Sequence, residues 1–314
     1  MHISRRLRGS SLSDNWSIVV WLAAVLLCSL AALPSPAAEG DAVPARVKVP
    51  GTLRLLARQR REPQQGIGQL EIVETPVEWK ASETAIIICD MWDKHWCQAA
   101  TQRVGAMVPR MNEVLTAARG HGVQIIHCPS DTLKFYEGTP FRRRMTQAVT
   151  ATPPSPIDRW CRLERDKEGD LPIDDKEGGC EDPDNPPSQG VWTRQHPALD
   201  ILGYDGVTDS GVEVYNYCQQ EGIKNLVLMG VHTNMCVLGR SFGIRQMTKV
   251  GMNVVLARDL TDAMYDPRKH PFVSHTRGTE LVVEHIERHW CPSIASADLL
   301  QVVPGSDDPA GATK

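Results

Sequence analysis

Residues 225–240, NLVLMGVHTNMCVLGR, contain an unbroken apolar run from Leu226 to Val231 and become polar at His232. A short continuous apolar run of this kind is typical of a strand that is covered on both faces of a parallel sheet. Cys236 follows the turn and stands at the start of residues 236–249, whose composition predicts a helix. The stretch therefore predicts a strand, a tight turn and a helix in direct succession.

The same alternation of strand and helix extends along most of the chain. Further strands are predicted at TAIIICD (84–90), VQIIHC (123–128), VWTR (191–194), MNVVLARD (252–259) and LLQVV (299–303). Further helices are predicted at 98–120, 210–222 and 274–290. This order predicts an α/β fold with a doubly wound, mainly parallel sheet of about six strands and helices on both faces. Ligands of such folds bind at the carboxyl ends of the strands.

The first 38 residues differ from the rest of the chain. Arginines at the start precede an apolar run over 18–33, and the small residues of PSPAAEG follow it. This order is typical of a cleaved export signal, so we expect a periplasmic or secreted protein that has no membrane contact after cleavage. A retained membrane anchor is the alternative interpretation of residues 1–38.

Three other segments complete the predicted organisation. Residues 39–83 form an N-terminal extension with a β-hairpin, and residues 84–305 form the main domain. Residues 151–190, rich in Pro, Gly and acidic side chains, interrupt that domain as an insertion that could cover a site or simply be solvated. Residues 306–314 are expected to be a disordered tail.

Composition limits the classes of partner. The 314 residues are 41% hydrophobic and carry a formal net charge of −4, with no basic cluster. Nucleic acid is therefore not an expected partner, and a small molecule is. The nine cysteines show no repeated CxxC framework, so their spacing leaves the disulfide pairing open.

Chemically capable side chains follow the predicted strands, where a parallel sheet would bring them to one edge. In chain order they are Asp90, His127, Arg194, His196, His232 and Cys236. A carboxylate and a thiol at neighbouring strand ends are the minimum for nucleophilic catalysis, because the carboxylate can take the thiol proton. The start of a helix would lower the pKa of Cys236, and its free amides could stabilise an oxyanion. A merely buried thiol is the alternative.

Two motifs carry a resemblance to a known family. The strand AIIICDMWD ends in an aspartate, and GVHTNMCV follows a later strand with the spacing GVxTxxCV. Together they resemble the isochorismatase-like cysteine hydrolases, a superfamily that includes nicotinamidases and ureide amidohydrolases, over residues 84–265. The resemblance implies that Asp90 is the base, Cys236 the nucleophile, and the amides of His232 and Cys236 the oxyanion hole. It also implies a cis peptide between Val231 and His232, and assembly into a homo-oligomer.

The chain departs from this family at the basic residue. Members usually have a lysine at the end of the third strand that pairs with the aspartate, and residues 191–223 contain no lysine. Arg194 and His196 are the nearest basic candidates, and Lys94 is a less natural one. An Arg194 that only pairs with the acidic insertion is the alternative.

Aromatic and histidine side chains are expected around the site. Trp92, His95, Trp96 and His127 predict a substrate pocket, although the tryptophans could equally be packing anchors. The nicotinamidases bind a metal through an Asp-x-His pair, whereas this chain has HCPSD after its second strand. The histidines at 95, 127, 196 and 232 lack tight ligand spacing, so no metal or other cofactor is predicted.

These features predict a hydrolase that acts on carbon–nitrogen bonds other than peptide bonds. Cys236 would attack the carbonyl of a small amide or ureide and form a thioester. Two alternatives stay open. One is a catalytically silent relative that binds a ligand or a protein partner, and the other is a metal-assisted hydrolase that uses clustered histidines.

Overall fold

A computed structural model describes residues 43–62, 70–182 and 190–304. The predicted export signal (1–38) and tail (306–314) lie outside these residues. Within the three ranges, no helix combines the length and the hydropathy that a membrane span requires.

The described residues form nine strands and seven helices. The strands are β1 (Gly51–Arg61), β2 (Glu71–Lys80), β3 (Thr84–Cys89), β4 (Gln124–Cys128), β5 (Gly206–Val207), β6 (Asn225–Val231), β7 (Asn253–Asp262), β8 (Ser293–Ile294) and β9 (Val302–Pro304). The helices are α1 (Gln98–Gly120), α2 (Pro140–Thr146), α3 (Arg165–Glu168), α4 (Gly211–Glu221), α5 (Cys236–Gly239), α6 (Ile244–Lys249) and α7 (His275–His289).

All nine strands join one sheet in the order β2-β1-β8-β7-β6-β3-β4-β5, with β9 added beside β1. The strands from β8 to β5 run parallel to one another. The hairpin of β1 and β2 extends the sheet at the β8 edge in the antiparallel sense. The predicted doubly wound, mainly parallel sheet is thus confirmed, with nine strands among the described residues where about six were expected.

Helices cover both faces because the buried strands are apolar on each side. Ile86 and Ile88 of β3 pack in one cluster with the apolar face of α1. Ile87 and Cys89 point the other way, into a cluster with α4, α5, α6 and α7. This alternation explains why β3 is a continuous apolar run rather than an alternating one.

The strand order of the sheet reverses at β3. This strand pairs with β4 on one side and with β6 on the other. The helices that lead into these two neighbours, α1 and α4, lie on opposite faces. The carboxyl ends of β3 and β6 therefore mark the switch point at which ligands of doubly wound folds bind. Asp90 directly follows β3, and Cys236 follows β6 after a short turn.

The predicted strand at 191–194 is wrong. Its backbone bonds to the loop after Asp90 instead: Asp93 N donates to Arg194 O at 2.9 Å, and His196 N donates to Met91 O at 2.7 Å. The strand that pairs with β4 is the two-residue β5.

The predicted helix over 236–249 is two helices, α5 and α6. Arg240 ends the first in an extended conformation, with ψ at 157°, and its backbone bridges to Trp160. Gly243 starts the second so close to Val237 O that an added Cβ would lie 2.7 Å from that oxygen. The predicted final strand at 299–303 is shifted to β9, and it pairs antiparallel with β1.

The described part of the insertion, 151–182, packs on the domain rather than standing in solvent. Glu168 of α3 is buried and accepts hydrogen bonds from Arg245, His285 and Trp290. A disulfide joins Cys180 to Cys97 at the start of α1.

Candidate active site

Asp90 is a fully buried carboxylate at the end of β3. Its backbone adopts a φ of +47°, and its amide donates to Cys128 O at 3.0 Å. This left-handed conformation is uncommon for a residue with a side chain, although aspartate adopts it more readily than most. Oδ1 accepts a hydrogen bond from Ser130 N at 2.8 Å, and Oδ2 faces a guanidinium.

The cation that pairs with Asp90 is Arg240. Its Nε lies 3.2 Å from Asp90 Oδ2, and its Nη2 lies 3.4 Å from Asp131 Oδ2. Only 17% of the Arg240 side chain is exposed, whereas 47% of the Asp131 side chain is. The guanidinium thus bridges a buried carboxylate and a surface carboxylate.

Cys236 is the first residue of α5, and its thiol contacts both the carboxylate of Asp90 and the guanidinium of Arg240. Only 8% of the residue is exposed. Burial, followed by the charge of Asp90, raises the pKa of this thiol well above its ordinary value, although Arg240 acts in the opposite direction. Burial and the charge of Asp90 thus raise the pKa of this thiol, whereas the start of a helix was expected to lower it.

Burial also raises the pKa of Asp90, while Arg240, Cys236 and Ser130 lower it. A thiol has an intrinsic pKa about four to five units above that of a carboxyl group. The proton of the pair therefore rests on sulfur at neutral pH, and Asp90 is the group that can accept it.

The turn between β6 and α5 leaves two backbone amides without an acceptor among the described residues. The peptide between Val231 and His232 is cis, as the resemblance implied. Met235 N and Val237 N both donate to the carbonyl of His232, which folds the turn back on itself. The amides of His232 and Cys236 have no acceptor among the described residues. Two donors are thus available for an oxyanion.

Aromatic rings form a wall next to this turn. Trp92 and Trp192 stack with ring centroids 4.2 Å apart, and His95 stacks on Trp192 at 5.6 Å. His95 also lies 5.0 Å from the rings of both Trp96 and His232. The structure thus brings together Trp92, His95 and Trp96 of the predicted pocket, and adds Trp192.

The histidines of this wall are neutral. Burial, with a contribution from Arg103, lowers the pKa of His95 to about 4. Burial and the neighbouring His95 lower the pKa of His232 to about 3. Nδ1 of His95 accepts a hydrogen bond from Cys97 N at 3.1 Å, so Nε2 carries the proton of the neutral ring.

His127, predicted in the pocket, lies elsewhere. It shares a register position with Ile88, and therefore points toward the α1 face. Its two ring nitrogens lie 2.7 Å from Gln195 Oε1 and 3.1 Å from Asp205 Oδ2. Both polar atoms of this buried ring are thus engaged in a network that does not include the thiol.

Neither Arg194 nor His196 pairs with Asp90. The guanidinium of Arg194 lies over the ring of Phe135, 5.0 Å from its centroid. His196 Nδ1 accepts a hydrogen bond from Ala198 N at 3.3 Å. The expectation that one of these two residues replaces the lysine of the family is therefore corrected to Arg240. No ion pair joins Arg194 to the part of the insertion that the structure describes.

The four histidines considered for a metal do not meet. His95 and His232 are neighbours, but His127 is held on the α1 face and His196 packs beside that helix at Gly105. Among the described residues, the one grouping of three ligand side chains is Cys97, Cys180 and Asp182, and its two cysteines are joined in a disulfide.

Arg240 was missed from the sequence although it lies in the stretch quoted first. It follows Cys236 by four residues, a spacing that places two side chains on one face of a helix. That spacing is the signal in the sequence that points to Arg240 as a neighbour of Cys236.

Comparison with known proteins finds similarity only among solved structures; no family model and no curated protein sequence matches. A cysteine hydrolase from Pseudomonas syringae is 15% identical over 77% of this chain and 95% of that one, with a TM-score of 0.43. An isochorismatase family protein from Burkholderia thailandensis is 16% identical over 70% and 96%, with a TM-score of 0.39. An isochorismatase from Pseudomonas putida is 15% identical over 69% and 90%, with a TM-score of 0.41. The similarity concerns the fold alone.

Proposed function

We propose that the protein is a cysteine hydrolase that cleaves the carbon–nitrogen bond of a small amide or ureide. The observation that supports this most directly is the contact of the Cys236 thiol with the buried carboxylate of Asp90, which Arg240 holds in its charged form. Such a thiol has a base within reach and a cation beside it, which are the requirements for an activated nucleophile.

In the first half of the proposed reaction, Asp90 takes the thiol proton as sulfur attacks the substrate carbonyl carbon. The carbonyl oxygen becomes an anion that the amides of His232 and Cys236 stabilise. When the carbon–nitrogen bond breaks, the proton on Asp90 passes to the leaving nitrogen. The products of this half are a thioester on Cys236 and ammonia or an amine.

In the second half, water attacks the thioester and gives its proton to Asp90. The carbon–sulfur bond breaks, the acid leaves, and the proton returns from Asp90 to the thiolate. Arg240 keeps Asp90 in the carboxylate form at the start of each half. Apart from the substrate and water, the groups that take part in this cycle belong to the chain.

The aromatic wall next to the turn before Cys236 favours an uncharged substrate. Its rings are stacked and its histidines are neutral at physiological pH. Nε1 of Trp192 and Nε2 of His232 are buried and have no hydrogen-bond partner among the described residues. These two nitrogens could orient the polar edge of an amide or ureide.

The two alternatives have less support from the site. A catalytically silent relative was suggested by the missing lysine, and Arg240 now supplies the cation. A metal-assisted hydrolase was suggested by four histidines, of which only His95 and His232 are neighbours.

A screen for ammonia and amine release across amides and ureides tests the proposal. The wild type should release ammonia or an amine from at least one compound, and Cys236→Ala and Asp90→Asn should not. Cys218→Ala, which removes a buried thiol of α4 outside the catalytic group, serves as the matched control and should keep its activity.

Rapid quenching and mass spectrometry of the active reaction should detect an acyl group on the peptide that contains Cys236. Release that persists in Cys236→Ala would contradict the proposal. Binding of several compounds without any release would instead favour the ligand-binding alternative.

A further inference from the structure

A strip of the insertion pairs with the segment that carries Arg240. Trp160 forms an antiparallel bridge with Arg240, and Cys161 N donates to Gly239 O at 2.7 Å. The guanidinium carbon of Arg240 lies 5.6 Å from the centroid of the Trp160 ring. This distance is within the range of a cation–π contact.

Gly239 makes room for this ring. A Cβ added at Gly239 would lie 2.7 Å from the Trp160 ring. The indole therefore rests directly on the backbone between the nucleophile and Arg240. This close approach needs a glycine at 239, and it fixes the position of the indole relative to α5.

The Arg240 guanidinium has two carboxylate partners. It contacts Asp90 inside the protein and Asp131 at the surface, and Arg159 lies 3.8 Å from the same Asp131 carboxylate. A cavity of about 310 Å³, lined in part by Asp131, Arg159, Asp209 and Arg240, gives solvent access to this side. A further contact is therefore needed to hold the Arg240 guanidinium in its ion pair with the buried Asp90.

We propose that Trp160 is a positioning residue that holds the Arg240 guanidinium against Asp90, an inference that rests on the proposed function. Trp160 comes from the insertion, so the insertion would complete the catalytic group instead of only covering it. The ring does not touch the reacting atoms, and it acts through Arg240.

The charged and titratable groups around Arg240 and Asp90 determine which pKa values would change if Arg240 were held less firmly. Arg240 is faced by Asp90, Cys236, Cys89 and Asp131. The thiols of Cys89, Cys128 and Cys236 lie around Asp90. Within the described residues, Arg240 is the only cation paired with Asp90. A less firmly held Arg240 would therefore raise the pKa of Asp90 and of the Cys236 thiol together.

Alkylation of Cys236 by iodoacetamide over a range of pH tests this inference, with the modified peptide quantified by mass spectrometry. In Trp160→Leu, we expect the profile of the alkylation rate to shift by about 0.5 to 1 pH unit toward higher pH. At a fixed pH below the thiol pKa, the rate should fall roughly 3- to 10-fold because only the thiolate reacts. Trp160→Phe keeps an aromatic face and should stay near the wild type.

A merely structural role would give the opposite result, since a loosened insertion would expose the thiol and speed its alkylation. Trp290→Leu is the matched control. Trp290 also lies 5.6 Å from an arginine, Arg245, and its Nε1 donates to Glu168, so its loss loosens the insertion without touching Arg240. This variant should show no shift in the profile. Unchanged or faster alkylation in Trp160→Leu, or an equal shift in both leucine variants, would overturn the inference.

Failure of the proposed function is distinguishable from failure of this inference. If the wild type releases no ammonia or amine but Trp160→Leu still shifts the alkylation profile, the positioning role stands and the proposed reaction fails. If an amide is hydrolysed and neither the alkylation profile nor the acid limb of kcat/KM moves in Trp160→Leu, the reaction stands and the positioning role fails.

Discussion

Two opposing effects set the proton affinity of Asp90. Burial raises its pKa, and the charge of Arg240 lowers it. In the proposed reaction, Asp90 must be a carboxylate to accept the thiol proton. Activity should therefore be present above the pKa of Asp90 and be lost as the pH falls through it.

Replacement of Arg240 tests this balance. In Arg240→Met the carboxylate loses its cation, so we expect the acid limb of kcat/KM to move upward by about 1 to 3 pH units. Arg240→Lys keeps the charge, but an ammonium group cannot contact Asp90 and Asp131 in the way a planar guanidinium does. The acid limb of Arg240→Lys should therefore lie between those of the wild type and Arg240→Met. The measurement is kcat/KM against pH, with thermal unfolding of each variant recorded to confirm folding. An acid limb that stays in place in Arg240→Met would show that this arginine does not control the base.

At the residue scale, the sequence predicted the acid and the thiol but not the cation. Asp90 directly follows the apolar strand β3, and Cys236 follows the apolar strand β6 after a short turn. The end of each strand therefore predicts the position of the residue. Arg240 reaches Asp90 because α5 ends after a single turn and Arg240 itself adopts an extended conformation. No pattern in the sequence shows that extension, which depends on the bridge to Trp160 from a distant segment.

Among the elements, β6 pairs with β3 up to the point where both strands end, and Gly230 is the register partner of Cys89. Gly230 has a φ of +105°, and an added Cβ would lie 2.1 Å from the carbonyl oxygen of Cys89. The glycine that closes the apolar run is therefore required by the close contact between the two strands that carry the acid and the thiol.

Gly230→Ala should separate the ends of these strands. We expect a loss of at least about 1 to 3 kcal/mol in the free energy of unfolding from the backbone conformation alone, with the clash in addition. Gly222→Ala is the control, since Gly222 also has a positive φ, +70°, but has no atom within 4 Å of an added Cβ. That variant should lose only about 1 to 2 kcal/mol. Urea unfolding of both variants measures the difference, and equal losses would exclude the clash at Cys89 as the cause.

The short helix α3 is held by one buried carboxylate. Although burial alone would raise the pKa of Glu168, hydrogen bonds from His285 and Arg245, together with those from Glu164 N and Trp290, lower it well below its ordinary range. The side chains of Glu168 and Arg245 are almost completely buried. A buried pair of this kind is costly to break from one side because the remaining charge has no partner.

Glu168→Gln should therefore destabilise the protein by about 3 kcal/mol at neutral pH. Because the pKa of Glu168 is lowered by folding, its contribution is full above the ordinary glutamate pKa of about 4.3 and is lost as the pH falls below it. The difference between wild type and variant in urea unfolding should thus be larger at pH 7 than near pH 2.5, because the contribution is lost progressively as the pH falls from about 4.3 toward the lowered pKa of the folded state. Glu164→Gln, which affects a half-exposed pair with Lys249, should cost less than about 1 kcal/mol. A difference that does not change with pH would contradict the assignment to Glu168.

The elements that the sequence predicted well are the long ones. β3, β6 and α1 each carry a continuous or periodic apolar pattern that a single sequence displays. The strands β5 and β8 have two residues each, and no pattern of that length can be recognised. Their presence depends on the neighbours that pair with them in the sheet.

At the scale of the whole molecule, the insertion is tied to the domain at separate points. Glu168 anchors one part, and Trp160 bridges to Arg240 in another. A third tie is the disulfide between Cys180 and Cys97, which lies next to Trp96 of the aromatic wall. Composition alone predicted a polar excursion, because the few residues that dock it are scattered among many solvated ones.

Loss of the disulfide should weaken both the fold and the site. The two cysteines are 83 residues apart, and removal of a native disulfide costs about 2 to 5 kcal/mol. We expect Cys97→Ala with Cys180→Ala to unfold at a lower temperature than the wild type and to have a lower kcat/KM, since the bond fixes the segment that carries His95 and Trp96. Reductant should lower the Tm of the wild type toward that of the double variant and leave the double variant unchanged. If reductant has no effect on the wild type, the bond does not form in solution. The proposed export of the protein would then lose a supporting observation, because such bonds persist mainly in oxidising compartments.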